Sequence, residues 1–137
     1  MSNRQIKTDN SRLNIKIKMR LDKTNDGDIV LDCFHGKGVI WDIIKKHKNI
    51  EVYGIEKEKN KGRIALYGEC EKVIPSLDLS CYNIIDCDAW GIPYKAIKAV
   101  LKNHTLKKGT VIFYTFIQAG MGIINKELLQ YTGVKKL

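Results

Sequence analysis

Two stretches of this 137-residue chain carry residue types that could do chemistry. The first is Asp28-Ile29-Val30-Leu31-Asp32-Cys33-Phe34-His35-Gly36-Lys37-Gly38, an apolar run that ends on an acid and passes into a G-x-G turn. Glycine lets the backbone turn tightly and lets a ligand approach without a Cβ in the way. A strand, a glycine turn and a following helix form the corner at which open α/β sheets hold phosphates or nucleosides. The second stretch is Asp86-Cys87-Asp88-Ala89-Trp90-Gly91-Ile92-Pro93, two acids and an aromatic after another apolar run. Between them, Glu56 and Glu69 each close a short apolar segment. Ligands of a parallel sheet bind across the carboxyl ends of its strands. Acids from four parts of the chain are therefore expected along one edge.

The spacing narrows the ligand. Glu56 lies 18 positions after Gly38, close to the ~20 at which an acid accepts the ribose hydroxyls in such folds. Its two oxygens can take a vicinal diol together. The alternative is a solvated Glu within the charged run Glu56-Lys57-Glu58-Lys59. Trp41 stands where G-x-G-x-x-G requires its third glycine, which argues against a nicotinamide or flavin dinucleotide. No G-x-x-x-x-G-K-[ST] loop occurs. Cys87 between two aspartates is a poor nucleophile, because neighbouring negative charge suppresses the thiolate.

The first stretch resembles the opening motif of the class I S-adenosylmethionine-dependent methyltransferases over about residues 28–118. The resemblance implies S-adenosylmethionine as cofactor, held by Asp32, Phe34, Gly36, Gly38, Glu56, Glu69, Cys70 and Asp86. Asp32 and the glycine turn would approach the methionine moiety, Glu56 would hold the ribose, and Glu69 with Cys70 would flank the adenine. His35 is expected as a turn residue, with a solvent-facing loop histidine the plain alternative to any catalytic part. The second stretch is similar to the D-x-D-P-[FY]-G-x-P segment of tRNA guanine N2-dimethyltransferases, with Ala89 in place of the proline. That similarity implies catalytic roles for Asp86, Asp88, Trp90 and Pro93. An exocyclic amine is a poor nucleophile, so Asp88 would orient its N–H groups while Trp90 stacks on an extruded base.

The elements that must position these residues follow from periodicity. Strands are expected over 29–35, 50–56, 63–69, 82–88 and 110–117, and helices over 39–47, 71–77, 94–104 and 125–131. A charged short helix or loop is expected over 57–61. The leader, with Leu13, Ile15, Ile17, Met19 and Leu21 alternating with polar residues, fits a strand, yet Leu13, Ile17 and Leu21 also stack at helical spacing. Its basic residues are expected on the exposed side in either case. The βα alternation predicts one Rossmann-like, doubly wound, mostly parallel sheet of about five strands with helices on both faces. The expected single domain comprises a basic leader (1–27), a cofactor core (28–118) and a C-terminal helix (119–137). The last two strands of the usual methyltransferase fold are not found, so the chain is expected either as a minimal or truncated catalytic core or as one that a second copy or a partner subunit completes.

The formal charge of +9, from 24 Lys+Arg against 15 Asp+Glu, favours a polyanionic partner. Nucleic acid comes first, RNA over DNA, and an anionic membrane surface second. No apolar run approaches the ~20 residues of a membrane span, and no secretory leader is evident, so a cytoplasmic location is expected. Cys33, Cys70, Cys81 and Cys87 lack paired metal-ligand spacing and are expected as buried, reduced thiols. Amino-group methylation of a nucleic acid, methylation of a small molecule or protein, and a non-catalytic cofactor- or RNA-binding module all remain open.

Overall fold

The computed structural model describes residues 10–36, 38–57, 65–88 and 93–114. Helix α1 (Asn10–Lys23) is followed by β1 (Ile29–Asp32), α2 (Val39–Lys45), β2 (Glu51–Glu56) and β3 (Ala65–Tyr67). Then come α3 (Cys70–Val73) running into a 3-10 turn (Ile74–Ser76), β4 (Ile84–Cys87), α4 (Tyr94–Lys102) and β5 (Val111–Tyr114). β1, α2, β2, β4 and α4 are each shorter than their periodicity suggested. The expected helix over 125–131 and the segment 57–61, apart from Lys57, lie outside the described residues.

The five strands form one sheet in the order β3-β2-β1-β4-β5, with every pairing parallel. This is the expected Rossmann-like sheet. Strand order reverses between β1 and β4, which opens the crevice in which such folds hold ligands. Asp32 is in register with Gly54 of β2 on one side and with Asp86 of β4 on the other.

Side chains alternate faces along each strand. Val30, Ile84 and Phe113 pack with Trp41 and Ile44 of α2, and with Ile17 and Leu21 of α1. Leu31, Ile55 and Ile85 pack instead with Ile74 and with Ile97 and Val100 of α4. Helices therefore cover both faces.

The leader is a helix. Ile17 and Leu21, four apart, turn towards the sheet, while Ile15 and Met19 are exposed. Its basic residues do not all face solvent, which corrects the expectation from sequence. Lys18 and Lys23 do, but Arg20 is only 3% exposed. An acid on the sheet beneath supplies the reason, because a buried charge persists only when paired.

Gly36 and Gly38 adopt positive φ of 51° and 67°, and Gly38 caps α2 in the left-handed region that glycine enters without a Cβ penalty. Gly54 is needed for a different reason. A Cβ there would come within 2.3 Å of His35 Cγ, so the His35 ring occupies the space a side chain would fill. Gly54→Ala is expected to destabilise the fold by about 1–3 kcal/mol through this overpacking. Urea unfolding would check it, and a change under about 0.5 kcal/mol would show that His35 moves aside freely.

Candidate functional site

The carboxyl ends of β1, β2 and β3, with the start of α4, enclose a cleft of about 420 Å³, within the size range of small-molecule sites. Phe34 and Gly36 come from the turn after β1, and Glu56 ends β2. Glu69 and Cys70 lie where β3 passes into α3. The opposite wall includes Lys95 and Ala96 of α4. Five of the eight residues expected to hold a cofactor thus meet at one cleft.

Their environments differ. The Glu56 residue is 9% exposed, and its carbonyl accepts a hydrogen bond from the Gly68 N–H at 2.9 Å. Phe34 is 36% exposed and offers an apolar plate at the cleft wall. At the mouth, Glu69 pairs with Lys72 at 3.0 Å and Lys57 at 4.0 Å. The Lys72 hydrogen bond holds the Glu69 carboxyl below its ordinary range. Burial, with Glu71 alongside, pushes the Cys70 thiol up to about 12, so it serves as an apolar wall.

Asp32, Gly38 and Asp86 do not line the cleft. Asp32 shares the parity of Val30, so its carboxylate lies on the α1/α2 face. There Asp32 Oδ2 meets His35 Nδ1 at 3.1 Å. Burial raises the Asp32 pKa, the His35 hydrogen bond opposes that rise, and the nearby Asp86 charge adds to it. The His35 side chain is itself buried against Gly54, rather than exposed on a loop.

Asp86, at 2% exposure, is the hub of the buried polar cluster. Its Oδ2 accepts from Arg20 Nε at 2.7 Å and from Trp41 Nε1 at 2.9 Å. Its Oδ1 accepts from Arg20 Nη2 at 3.0 Å and from the Asp88 backbone N–H at 3.0 Å. A carboxylate has about four acceptor positions, and all four are engaged. This differs from the expected acceptor for cofactor or substrate. Burial opposes the charge on Arg20, but the Asp86 hydrogen bond and charge outweigh it and raise the guanidinium pKa. Arg20 also lies 5.0 Å from the centroid of the Phe113 ring, within cation–π reach.

Asp88 is held from the same helix. Its Oδ2 pairs with Lys16 Nζ at 2.8 Å and with Arg20 Nη2 at 3.4 Å. Pro93 is buried at the start of α4, where its carbonyl accepts the Ile97 N–H. Trp90 lies outside the described residues. Sequence reasoning missed Arg20, Lys16 and Gly54. The available signal for Arg20 was its place beside Ile17 and Leu21 on a helical reading of the leader.

Cys33, Cys70 and Cys87 are free and buried, but Cys81 is exposed, which corrects the expectation of four buried thiols. The Cys87 and Cys33 sulfurs are 3.8 Å apart. The Cys87 hydrogen bond, followed by burial, pushes the Cys33 thiol well up. Among the described residues no group of three His, Cys, Asp or Glu side chains could hold a metal ion. No helix among them is long and apolar enough to cross a membrane.

A parallel sheet of this order with a cleft at its carboxyl edge defines a Rossmann-like α/β fold. Among solved structures, the chain is similar to phosphoethanolamine N-methyltransferase 2 of Haemonchus contortus in complex with S-adenosyl-L-methionine. The TM-score is 0.57 at 17% identity, over 89% of this chain and 32% of the other. The chain thus spans about a third of that protein's length, and the likeness is one of fold. No family model and no curated protein matches the sequence.

Proposed function

We propose that this chain binds S-adenosylmethionine in the carboxyl-edge cleft and catalyses methyl transfer to an amino group of a nucleic acid, RNA in preference to DNA. One observation carries the reading: Phe34, Gly36, Glu56, Glu69 and Cys70, drawn from three strand ends, line a single cleft. The shared fold with a protein solved with that cofactor supports it.

The residues present suit the cofactor. Glu56, an acid at the end of β2, would accept the two ribose hydroxyls. Phe34 supplies apolar surface, and Glu69 with Cys70 would flank the adenine. When bound, the cofactor would supply a sulfonium methyl group, the amine lone pair forming the N–C bond as the C–S pair returns to sulfur and the amine N–H proton passes to solvent. On the protein side, Asp88 would accept N–H groups of the substrate amine and align its lone pair. Trp90 would stack on the base, and Asp86 would keep Asp88 in place through its backbone N–H.

A second reading, cofactor binding without transfer, is favoured by one observation. Lys16 and Arg20 already engage Asp88, while Asp86 has no acceptor position left.

Calorimetric titration with S-adenosylmethionine and S-adenosylhomocysteine, with NAD as control, tests the cofactor. Saturable binding of the first two alone is expected, whereas binding of NAD alone would overturn the reading. Methyl-labelled cofactor with total tRNA, rRNA and DNA then tests transfer. Asp88→Ala is expected to keep cofactor affinity and lose label transfer. Cofactor binding with no labelled nucleic acid would favour the second reading. Label on phosphoethanolamine would replace the acceptor class with a small amine.

A further inference from the structure

At the opposite end of the strands from the cleft, cations collect along the amino edge of the sheet. Lys45, Lys46 and Lys48 wall a shallow depression of about 530 Å³ beside β2. Lys23, Lys107 and Lys108 wall a second, of about 390 Å³, beside β4 and β5. The two meet at the turn before β1, since Asp26 and Asn49 line the first, and Asn25 and Asp28 the second.

Cations at helix C-termini are often no more than partners of the helix dipole. That accounts for Lys23 and Lys45, which sit in the last turns of α1 and α2. It reaches Lys46, the C-cap of α2, and Lys48, whose N–H bonds to the Ile44 carbonyl, but does not account for Lys107 and Lys108, which lie outside any helix. Among the described residues, none of the six lysines is ion-paired. The acids within the stripe, Asp26 and Asp28, are engaged by the turns: Asp26 Oδ1 accepts the Asn49 N–H and Asp28 Oδ2 the Asn25 N–H, each at 2.8 Å. The stripe runs from the start of β2, across β1 and β4, to the start of β5. Three inter-strand spacings make that about 14 Å. That length suits a short run of phosphates along one nucleic-acid strand, each able to meet one of the lysines. Asn25 and Asn49 are exposed among the lysines, and their amides can both donate to and accept from a 2′-hydroxyl.

We infer that this amino edge is a docking surface for the phosphodiester backbone of RNA, separate from the cofactor cleft. β1 alone puts about 13 Å between the two edges, so RNA held here leaves the cleft open. The inference goes beyond the methyl-transfer reading, whose failure would show in the cofactor titration and not in RNA binding.

The test uses the full chain and a labelled 20-nucleotide single-stranded RNA, titrated across salt concentration. One phosphate contact from each of Lys46, Lys48, Lys107 and Lys108 predicts a slope of about −3 in log K against log salt, from −0.7 per contact. The pairs Lys46→Gln/Lys48→Gln and Lys107→Gln/Lys108→Gln are each expected to shrink the slope by about 1.4 and weaken binding about tenfold. Lys18→Gln/Lys98→Gln, an equal charge change elsewhere, is expected to leave both near wild type. Saturating S-adenosylhomocysteine is expected to leave RNA affinity unchanged. Equal losses in all three pairs would reduce the effect to net charge and overturn a defined edge. Competition with S-adenosylhomocysteine would place the RNA in the cleft instead. Tighter binding of DNA of the same sequence, or of phosphatidylserine vesicles, would overturn RNA as the occupant, as would no RNA binding at all.

Discussion

Arg20→Met is expected to cost about 3–5 kcal/mol of unfolding free energy, the usual penalty for leaving one member of a buried ion pair without its partner. Methionine keeps much of the side-chain volume, so lost packing contributes little. What remains is a carboxylate, Asp86, at 2% exposure with only Trp41 Nε1 and the Asp88 N–H still donating to it. The cation–π contact with Phe113 is lost as well. Single domains have about 5–15 kcal/mol of stability in all, so the variant would lose a large share and its urea midpoint would fall steeply. Arg20→Lys keeps the charge but not the two-pronged geometry, and an intermediate loss is expected. Adding Asp86→Asn to Arg20→Met removes the uncompensated charge and is expected to recover at least half the loss. A loss under about 1 kcal/mol for Arg20→Met would show that the cluster is not what joins α1 to the sheet. The consequence reaches the candidate site, because Arg20 joins Asp86 to Asp88 through Nη2 and Lys16 of the same helix holds Asp88.

Glu56→Ala is expected to weaken S-adenosylmethionine binding by about 2–4 kcal/mol, or ~30- to 1,000-fold. A hydrogen bond to a charged group contributes about 1.5–3 kcal/mol, and a ribose diol would make two. Glu56→Gln retains one acceptor oxygen and should fall between wild type and alanine. Calorimetry reads both directly. Stability is expected to change less than affinity, since the residue sits at the end of β2 beside the cleft rather than in the core between strands and helices. Unchanged affinity in Glu56→Ala would remove the ribose assignment while leaving the cleft itself intact. Equal losses for alanine and glutamine would show that charge, not the pair of acceptor oxygens, carries the contact.

The sequence alone determined the five strands, the glycine turn after the first, and the acids at strand ends. Parallel βα topology brings carboxyl ends to one edge, so Glu56 and Glu69, 13 residues apart in the chain, could be placed together before any contact was known. Which face each acid takes was decided only by tertiary structure. Strands such as Ile29–Asp32 and Ile84–Cys87 are apolar on both faces, as strands of a sheet covered on both sides must be. No alternation marks which way Asp32 or Asp86 points. Gly54 was opaque for a related reason: its lack of a side chain matters only because His35 folds back over it. The leader shows the limit most clearly. Its apolar residues fit periods of two and of nearly four, and a basic residue within such a pattern reads as exposed. Arg20 is buried because Asp86, 66 positions away, offers a bidentate partner under the helix, and a pairing across that separation leaves no local mark in the chain.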